Sequence, residues 1–303
     1  MTMPNFLVLG APKAGTTALY HYLNQHPEIY MSPVKEPNFF AFEGKQPDFC
    51  GPRDNLAWTN TSSIVNLEAY QALFDGRKNE KAIGEASTLY LYIPETPERI
   101  HRYIPDAKLI AILRHPVDRA FSNYLHLRRD RREWIADFEL AINEENKRIS
   151  QHWSPAWYYL NIGLYTPQIK RYLAFFPRSQ LKIYLYEDWK ESPQKFLQDL
   201  FTFLEVDCRF VPDMSAKHNQ TNVVWKNIAL YDLLTTNNPI KNFFKFLMPR
   251  KIRQPMAAKI YRKNMEKPPQ LSPQLRQKLI PLFEQDICQL QEIIDRDLSH
   301  WLE

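Results

Sequence analysis

The chain has 303 residues, 44% hydrophobic and 24% charged, with a formal net charge of +5. That length leaves room for one large α/β domain with a real core, or for two small ones, and the mild positive charge suits an anionic ligand without demanding nucleic acid. Three widely spaced cysteines, Cys50, Cys208 and Cys288, exclude a disulfide framework and a zinc site and fit a reducing, cytoplasmic setting.

The first apolar run, 6–9, reads as a short buried strand and is too short for the core of a signal peptide. A glycine turn and a helix, TTALYHYLNQH, follow and stop before Pro27. This order of strand, loop and helix opens an α/β sheet. Ile29 to Met31 form a second short strand running into SPVKEPNFF. Residues 43–66 are polar and aperiodic and read as an irregular surface loop, of the kind that is often functional. A helix over 67–75, a strand over 82–87 and a helix with Pro97 in its first turn come next. KLIAILR, 108–114, is the strongest strand, and Pro116 starts the helix after it. Helices are expected over 137–149 and 163–177, a strand over 181–187, and a helix over 192–206 opened by Ser192-Pro193. From Ser272-Pro273 onward, leucines and isoleucines at three- and four-residue spacing mark an amphipathic helix. No stretch approaches the roughly 18 apolar residues of a transmembrane span. With no repeat and no break in composition, the reading is one domain over 1–303, with a C-terminal helical part over 227–303.

Residues 8–19, VLGAPKAGTTAL, resemble a phosphate-binding loop with its lysine displaced. Such loops hold anions on backbone N–H groups and a helix N-terminus. A Walker loop places lysine after the second glycine, where this chain has Thr16; its lysine is Lys13, inside the loop. An NTPase also sets an Asp for Mg²⁺ at the end of a hydrophobic strand. Here KLIAIL ends in Arg114, a cation suited to a second phosphate, with Ser122 eight residues on along the next helix. The residues therefore offer two anion sites and no evident metal ligands. They leave open a kinase or NTPase with a rearranged loop, a non-catalytic nucleotide-binding protein, or a transferase using a nucleotide with separate phosphates.

APKAGTTAL, SPVKEPNFF and LRHPVDRAFSNY, in that order, are similar to motifs of the sulfotransferases that use 3′-phosphoadenosine 5′-phosphosulfate (PAPS), in particular the heparan sulfate branch and its bacterial relatives. Weaker echoes are GEAS, GLYTPQIKRYLAFFPRSQLKIYLYEDW and IIDRDLSHW. The resemblance implies a P-loop-like α/β fold with about five parallel strands flanked by helices. It assigns the 5′-phosphosulfate to Lys13, Ala14, Gly15, Thr16, Thr17 and Ala18, the 3′-phosphate to Arg114 and Ser122, and the catalytic base to Glu36. Lys35 is expected to hold sulfuryl oxygens or an anionic acceptor, Tyr165 to contact the adenine, and Lys217 and Lys226 to serve the 3′-phosphate side. The chemistry fits these types: a carboxylate takes the acceptor proton and an ammonium neutralises the leaving phosphate oxygen.

The acceptor, a small molecule or a glycan, is less well specified. Ala86 stands where several heparan-type enzymes have a lysine, a departure from that pattern of substrate handling. Trp153, Trp157, Tyr158 and Tyr159 form either core or a stacking wall, and Trp58 is another candidate wall. The basic run 250–267 suits a polyanion or a membrane surface, or is simply a solvated face. No nucleic-acid recognition motif accompanies it.

Overall fold

Phe6–Gly10 (β1), Ile29–Met31 (β2), Ala82–Ala86 (β3), Lys108–Leu113 (β4) and Leu181–Leu185 (β5) form one sheet in the computed structural model, which describes residues 2–215, 224–225 and 264–303. The strand order is β2-β3-β1-β4-β5 and every pairing is parallel. β1 and β4 are apolar and almost wholly buried because helices cover both faces of the sheet. Gly84 in β3 is a glycine for a steric reason: a Cβ there would lie 2.4 Å from the Phe6 ring.

The helices are α1 (Thr16–Leu23), α2 (Phe39–Phe42), α3 (Trp58–Ser62), α4 (Leu67–Ala72), α5 (Thr96–Tyr103), α6 (Pro116–Arg129) and α7 (Phe138–Asn143). They continue with α8 (Glu145–Ser150), α9 (Tyr165–Leu173), α10 (Tyr186–Glu191), α11 (Pro193–Phe203), α12 (Pro273–Leu279) and α13 (Glu284–Ile294). β2 and β3 extend the sheet on one side of β1, and β4 and β5 on the other. Chain direction across the sheet thus reverses at β1, and a crevice opens at the carboxyl ends of the strands there.

The expected fold class holds, and the differences are local. The expected helix over 137–149 is two, α7 and α8, meeting at Glu144. The strand expected to 187 ends at Leu185, where Tyr186 begins α10. The last helix is interrupted by a 3₁₀ turn, Ile280–Leu282, because Pro281 cannot continue the hydrogen-bond ladder. Ser192, the expected cap of α11, makes no side-chain cap bond, whereas Ser272 caps α12, its Oγ accepting from the Leu275 N–H at 3.1 Å. Of the C-terminal part expected over 227–303, only 264–303 lies within the described residues.

Segment 43–66 is not an irregular loop. It contains a 3₁₀ turn at Asp54–Leu56 and helix α3, and the segment before α3 is tied down by the Asp54 carboxylate. Fully buried, Asp54 accepts from the N–H groups of Gly51 (2.8 Å) and Ser154 (2.9 Å), from Ser154 Oγ (2.9 Å), from Trp157 Nε1 (3.2 Å) and from Arg132. A buried charge needs such full pairing to be tolerable. A second buried pair, Arg148 with Glu133 at 2.7 Å, sits nearby, and the Tyr159 hydroxyl donates to the same carboxylate at 2.7 Å. Trp157, Tyr158 and Tyr159 pack around these groups as core, so this aromatic cluster is not an open stacking wall.

The C-terminal helices are joined to the sheet through α9. Asp286 on α13 accepts the first two N–H groups of α9, Tyr165 at 2.8 Å and Thr166 at 3.0 Å. Donors without intrahelical partners are thereby satisfied by a carboxylate at the positive end of the helix.

Candidate active site

A cleft of about 1340 Å³ opens at the carboxyl ends of the strands. Residues just beyond each strand reach it: Lys13 and Thr16 after β1, Lys35 and Glu36 after β2, Thr88 after β3, Arg114 after β4, and Tyr186 and Trp189 after β5. Most of the expected site residues, far apart in sequence, are brought together there.

The loop after β1 is a tight cradle. Lys13 and Gly15 both have positive φ, 70° and 87°. A side chain at Gly15 would be strained by its left-handed φ, and a Cβ there would be a tight fit, 3.1 Å from Trp189 and 3.2 Å from Tyr186. Thr16, Thr17 and Ala18, the first turn of α1, line the cleft. Ala14 is fully buried and its N–H is spent inside the turn, on Ala11 O at 3.2 Å.

Arg114 braces this loop. Its Nη1 donates to the Lys13 carbonyl at 2.9 Å, and its guanidinium lies 4.8 Å from the centre of the Tyr186 ring. Ser122 lines the same cleft from α6, two turns along. The cap of α6 is His115, whose Nδ1 accepts from the Val117 N–H at 3.2 Å.

Lys13 is surrounded by charge and protein. Burial pushes its ammonium down to about 8, Arg129 and Arg114 add to the fall, and Asp130 and Glu36 oppose it. A half-buried cation among other cations is poised for an anion.

Glu36 faces the cleft from the segment after β2. Its Oε1 accepts from Lys35 Nζ at 2.7 Å and from Thr88 Oγ1 at 3.2 Å. Burial pushes the carboxyl up, but the charge and hydrogen bond of Lys35, with the Thr88 bond, outweigh it and hold the group below its ordinary value. The backbone of Glu36 is left-handed, φ 60°, a conformation that costs a residue with a side chain. It is held by its own N–H on Ala86 O at 2.9 Å and by Trp58 Nε1, which donates to its carbonyl at 2.9 Å.

Residues that sequence reasoning missed complete the cleft. His126 on α6 is one turn beyond Ser122, on the same helical face. Its Nδ1 pairs with Arg129 Nη2 at 2.9 Å and its Nε2 with Asp130 at 3.2 Å. Arginine only donates, so Nδ1 accepts and Nε2 carries the proton. Burial and then the nearby Lys13 charge keep this imidazole neutral, well below its ordinary value. The i+4 spacing from Ser122 was the available signal for His126. Tyr186 and Trp189 were marked by following a strong strand, the usual place for ligand groups in such sheets. Thr88 carried no local signal, and Trp58, expected as a candidate wall, does line the cleft.

Of the expected residues within the described part, Ala14 and Tyr165 do not line the cleft. Tyr165 does not reach the cleft: it is fully buried near Trp301, and its hydroxyl donates to the Arg114 carbonyl at 2.9 Å, bracing the strand end from behind. The aromatic rings that do line the cleft include those of Tyr22, Trp58, Phe121, Tyr186 and Trp189. Lys217 and Lys226 lie outside the described residues, as does the basic run up to residue 263. Among the described residues, no group of three or more His, Cys, Asp or Glu is placed to hold a metal ion, and no helix is long and apolar enough to cross a membrane.

Comparisons with known proteins converge on the same chemistry. A solved sulfotransferase from Alicyclobacillus acidocaldarius aligns over 100% of both chains with 37% identity and a TM-score of 0.78. Among curated proteins, carbohydrate sulfotransferase 15 of Mus musculus is 27% identical over 247 residues, covering 67% of this chain and 44% of that protein. Bifunctional heparan sulfate N-deacetylase/N-sulfotransferase 4 of Mus musculus is 31% identical over 213 residues, 67% of this chain and 22% of its own length. The chain thus spans less than half the length of these two relatives. The model of the sulfotransferase family matches residues 4–210, a stretch that carries the β1 loop, the Lys35-Glu36 pair and Arg114 alike, and with the full-length structural match it makes this chain a member of the sulfotransferase family.

Proposed function

We propose that the protein transfers a sulfuryl group from PAPS to a hydroxyl or amine of a carbohydrate acceptor. The observation that carries this is the meeting, in one cleft, of a half-buried lysine inside the β1 loop, a guanidinium at the end of β4 and a carboxylate after β2. The cradle fits the donor's charges. Thr16, Thr17 and Ala18, with Lys13, would face the 5′-phosphosulfate, and Arg114 with Ser122 the 3′-phosphate. Lys217 and Lys226 remain part of the proposal for the 3′-phosphate side.

When bound, the donor supplies an electrophilic sulfur with a phosphate as leaving group. Glu36 accepts the acceptor's proton as its oxygen or nitrogen bonds to sulfur. The sulfur–oxygen bond to phosphate breaks, its electron pair stays on the bridging oxygen, and the Lys13 ammonium stabilises that charge. Lys35, already on Glu36, is placed to share its charge with the sulfuryl oxygens. A carboxylate held below its ordinary range is ionised throughout the neutral region, as a base must be. That the acceptor is a carbohydrate is supported by the names of the relatives.

The test is calorimetric titration with adenosine 3′,5′-bisphosphate and with ATP, each with and without Mg²⁺, followed by transfer assays with ³⁵S-labelled PAPS. The bisphosphate is expected to bind tightly and independently of metal. Glu36→Gln is expected to keep that binding and to lose transfer by about 10²–10⁴-fold. Preference for Mg-ATP would overturn the donor, and wild-type transfer by the variant would overturn the base.

A further inference from the structure

Trp58 occupies an unusual position. Its indole is 49% exposed, beside Leu56 at 71%, and both line the cleft. Large apolar side chains left open inside a cleft are informative where scattered surface ones are not. The polar end of this ring is already occupied, since Nε1 donates to the Glu36 carbonyl at 2.9 Å. What remains open is apolar ring surface.

The segment carrying Trp58 is anchored. Asp54, four residues before it, is fully buried and joins Gly51, Arg132, Ser154 and Trp157. Glu36, on the other side of the contact, has a left-handed backbone, and Asn38 beyond it does too, φ 56°. The Asn38 N–H is held by Ser87 Oγ at 3.0 Å. Of the bonds that keep Glu36 in this conformation, the one to its carbonyl comes from across the cleft wall.

We propose that Trp58 is a positioning residue for Glu36 and that its open ring is the platform on which a ring of the acceptor lies, so that one side chain serves both acceptor binding and orientation of the base. This rests on the reading of Glu36 as the base. The chemistry recognised is a flat, weakly polar ring face, with the reacting hydroxyl at its edge. Both a pyranose and a phenol present such a face, and a linear alcohol does not.

The experiment uses the full chain, ³⁵S-labelled PAPS and three hydroxyl probes: a heparosan hexasaccharide, 2-naphthol and 1-hexanol. Wild-type protein is expected to sulfate one or both ring probes and not hexanol; activity on the hexasaccharide alone identifies a sugar ring, and on naphthol alone a phenolic one. Activity on hexanol alone, or on none of the three, overturns the platform. Trp58→Phe keeps a ring and loses the N–H: kcat is expected to fall at least fivefold with acceptor KM within about threefold, and the acid limb of the kcat–pH profile to move. Trp58→Ala is expected to raise KM at least tenfold as well. Adenosine 3′,5′-bisphosphate affinity should change in neither variant. Wild-type kcat and pH profile in Trp58→Phe overturn the positioning role, and wild-type KM in Trp58→Ala overturns the platform. Glu36→Gln is run alongside: if it loses transfer while the Trp58 variants are unaffected, only this inference fails, whereas wild-type transfer by Glu36→Gln shows that the reading of the base has failed.

Discussion

At the scale of single residues, Lys13 decides how the site answers to pH. Its ammonium is pushed down to about 8, chiefly by burial. The role proposed for it needs the charged form. The free enzyme should therefore lose kcat/KM for PAPS as pH rises through about 8, where the ammonium becomes neutral. Bound donor brings negative charge to the same place and favours the ammonium. The alkaline limb of kcat should accordingly lie at higher pH than that of kcat/KM. His126 is kept neutral and Glu36 ionised across this range, so neither supplies the limb. Rate profiles from pH 6 to 10 check this; coincident limbs, or none, would remove Lys13 from the titration.

At the scale of elements, the hub on Asp54 ties the segment before α3 to the core behind the end of α6. Each of its partners is a donor, so the amide of Asn, half donor, cannot replace the carboxylate. Asp54→Asn should cost on the order of 3 kcal/mol, since it leaves Arg132 without its buried counter-charge. Urea denaturation measures this. Because the hub supports Trp58 and not the β1 loop, acceptor KM should rise while bisphosphate affinity stays close to wild type. Equal losses in both would mean that the hub serves the whole cleft. The same elements show what the sequence reveals. The β1 loop and Arg114 were legible because each lies in a short strand–loop stretch whose chemistry is local, whereas Lys35-Glu36 was marked only through the family resemblance. Asp54 and Arg132 are 78 residues apart, and Trp58 and Glu36 are 22 apart. Such contacts have no periodicity and no capping signal to betray them. Tyr165 was misplaced for a related reason. Whether an aromatic at a helix start faces a cleft or the core depends on what packs behind it, here Trp301 and α13.

At the scale of the molecule, the sheet places the anion site where its two halves diverge. Arg114 links the β1 loop and the end of β4 to helix α10 after β5, through the Lys13 carbonyl on one side and the Tyr186 ring on the other, beside the bond from the Ala11 N–H to Ile112 O at 2.7 Å and the packing of Gly15 on Tyr186 and Trp189. A bisphosphate bound to these parts adds a further link between them. Binding to the native state alone stabilises it by about 2.7 kcal/mol at a hundredfold excess over Kd. That is several degrees in the thermal midpoint for a chain of this size. Arg114→Ala removes both the phosphate contact and the brace on the loop. At the same ligand concentration it should reduce the stabilisation by about 1.4 kcal/mol for each tenfold loss of affinity, and the midpoint shift should shrink in step. Raising ionic strength should weaken the wild-type shift, because the attraction is between charges partly open to solvent. Tyr165→Phe is the control: it loses the hydroxyl that supports Arg114 from behind while leaving the guanidinium in place, so its shift should fall between wild type and Arg114→Ala. A midpoint shift in Arg114→Ala equal to wild type would show that the bisphosphate is held elsewhere, and with it the reading of the crevice beside β1 as the nucleotide site would be lost.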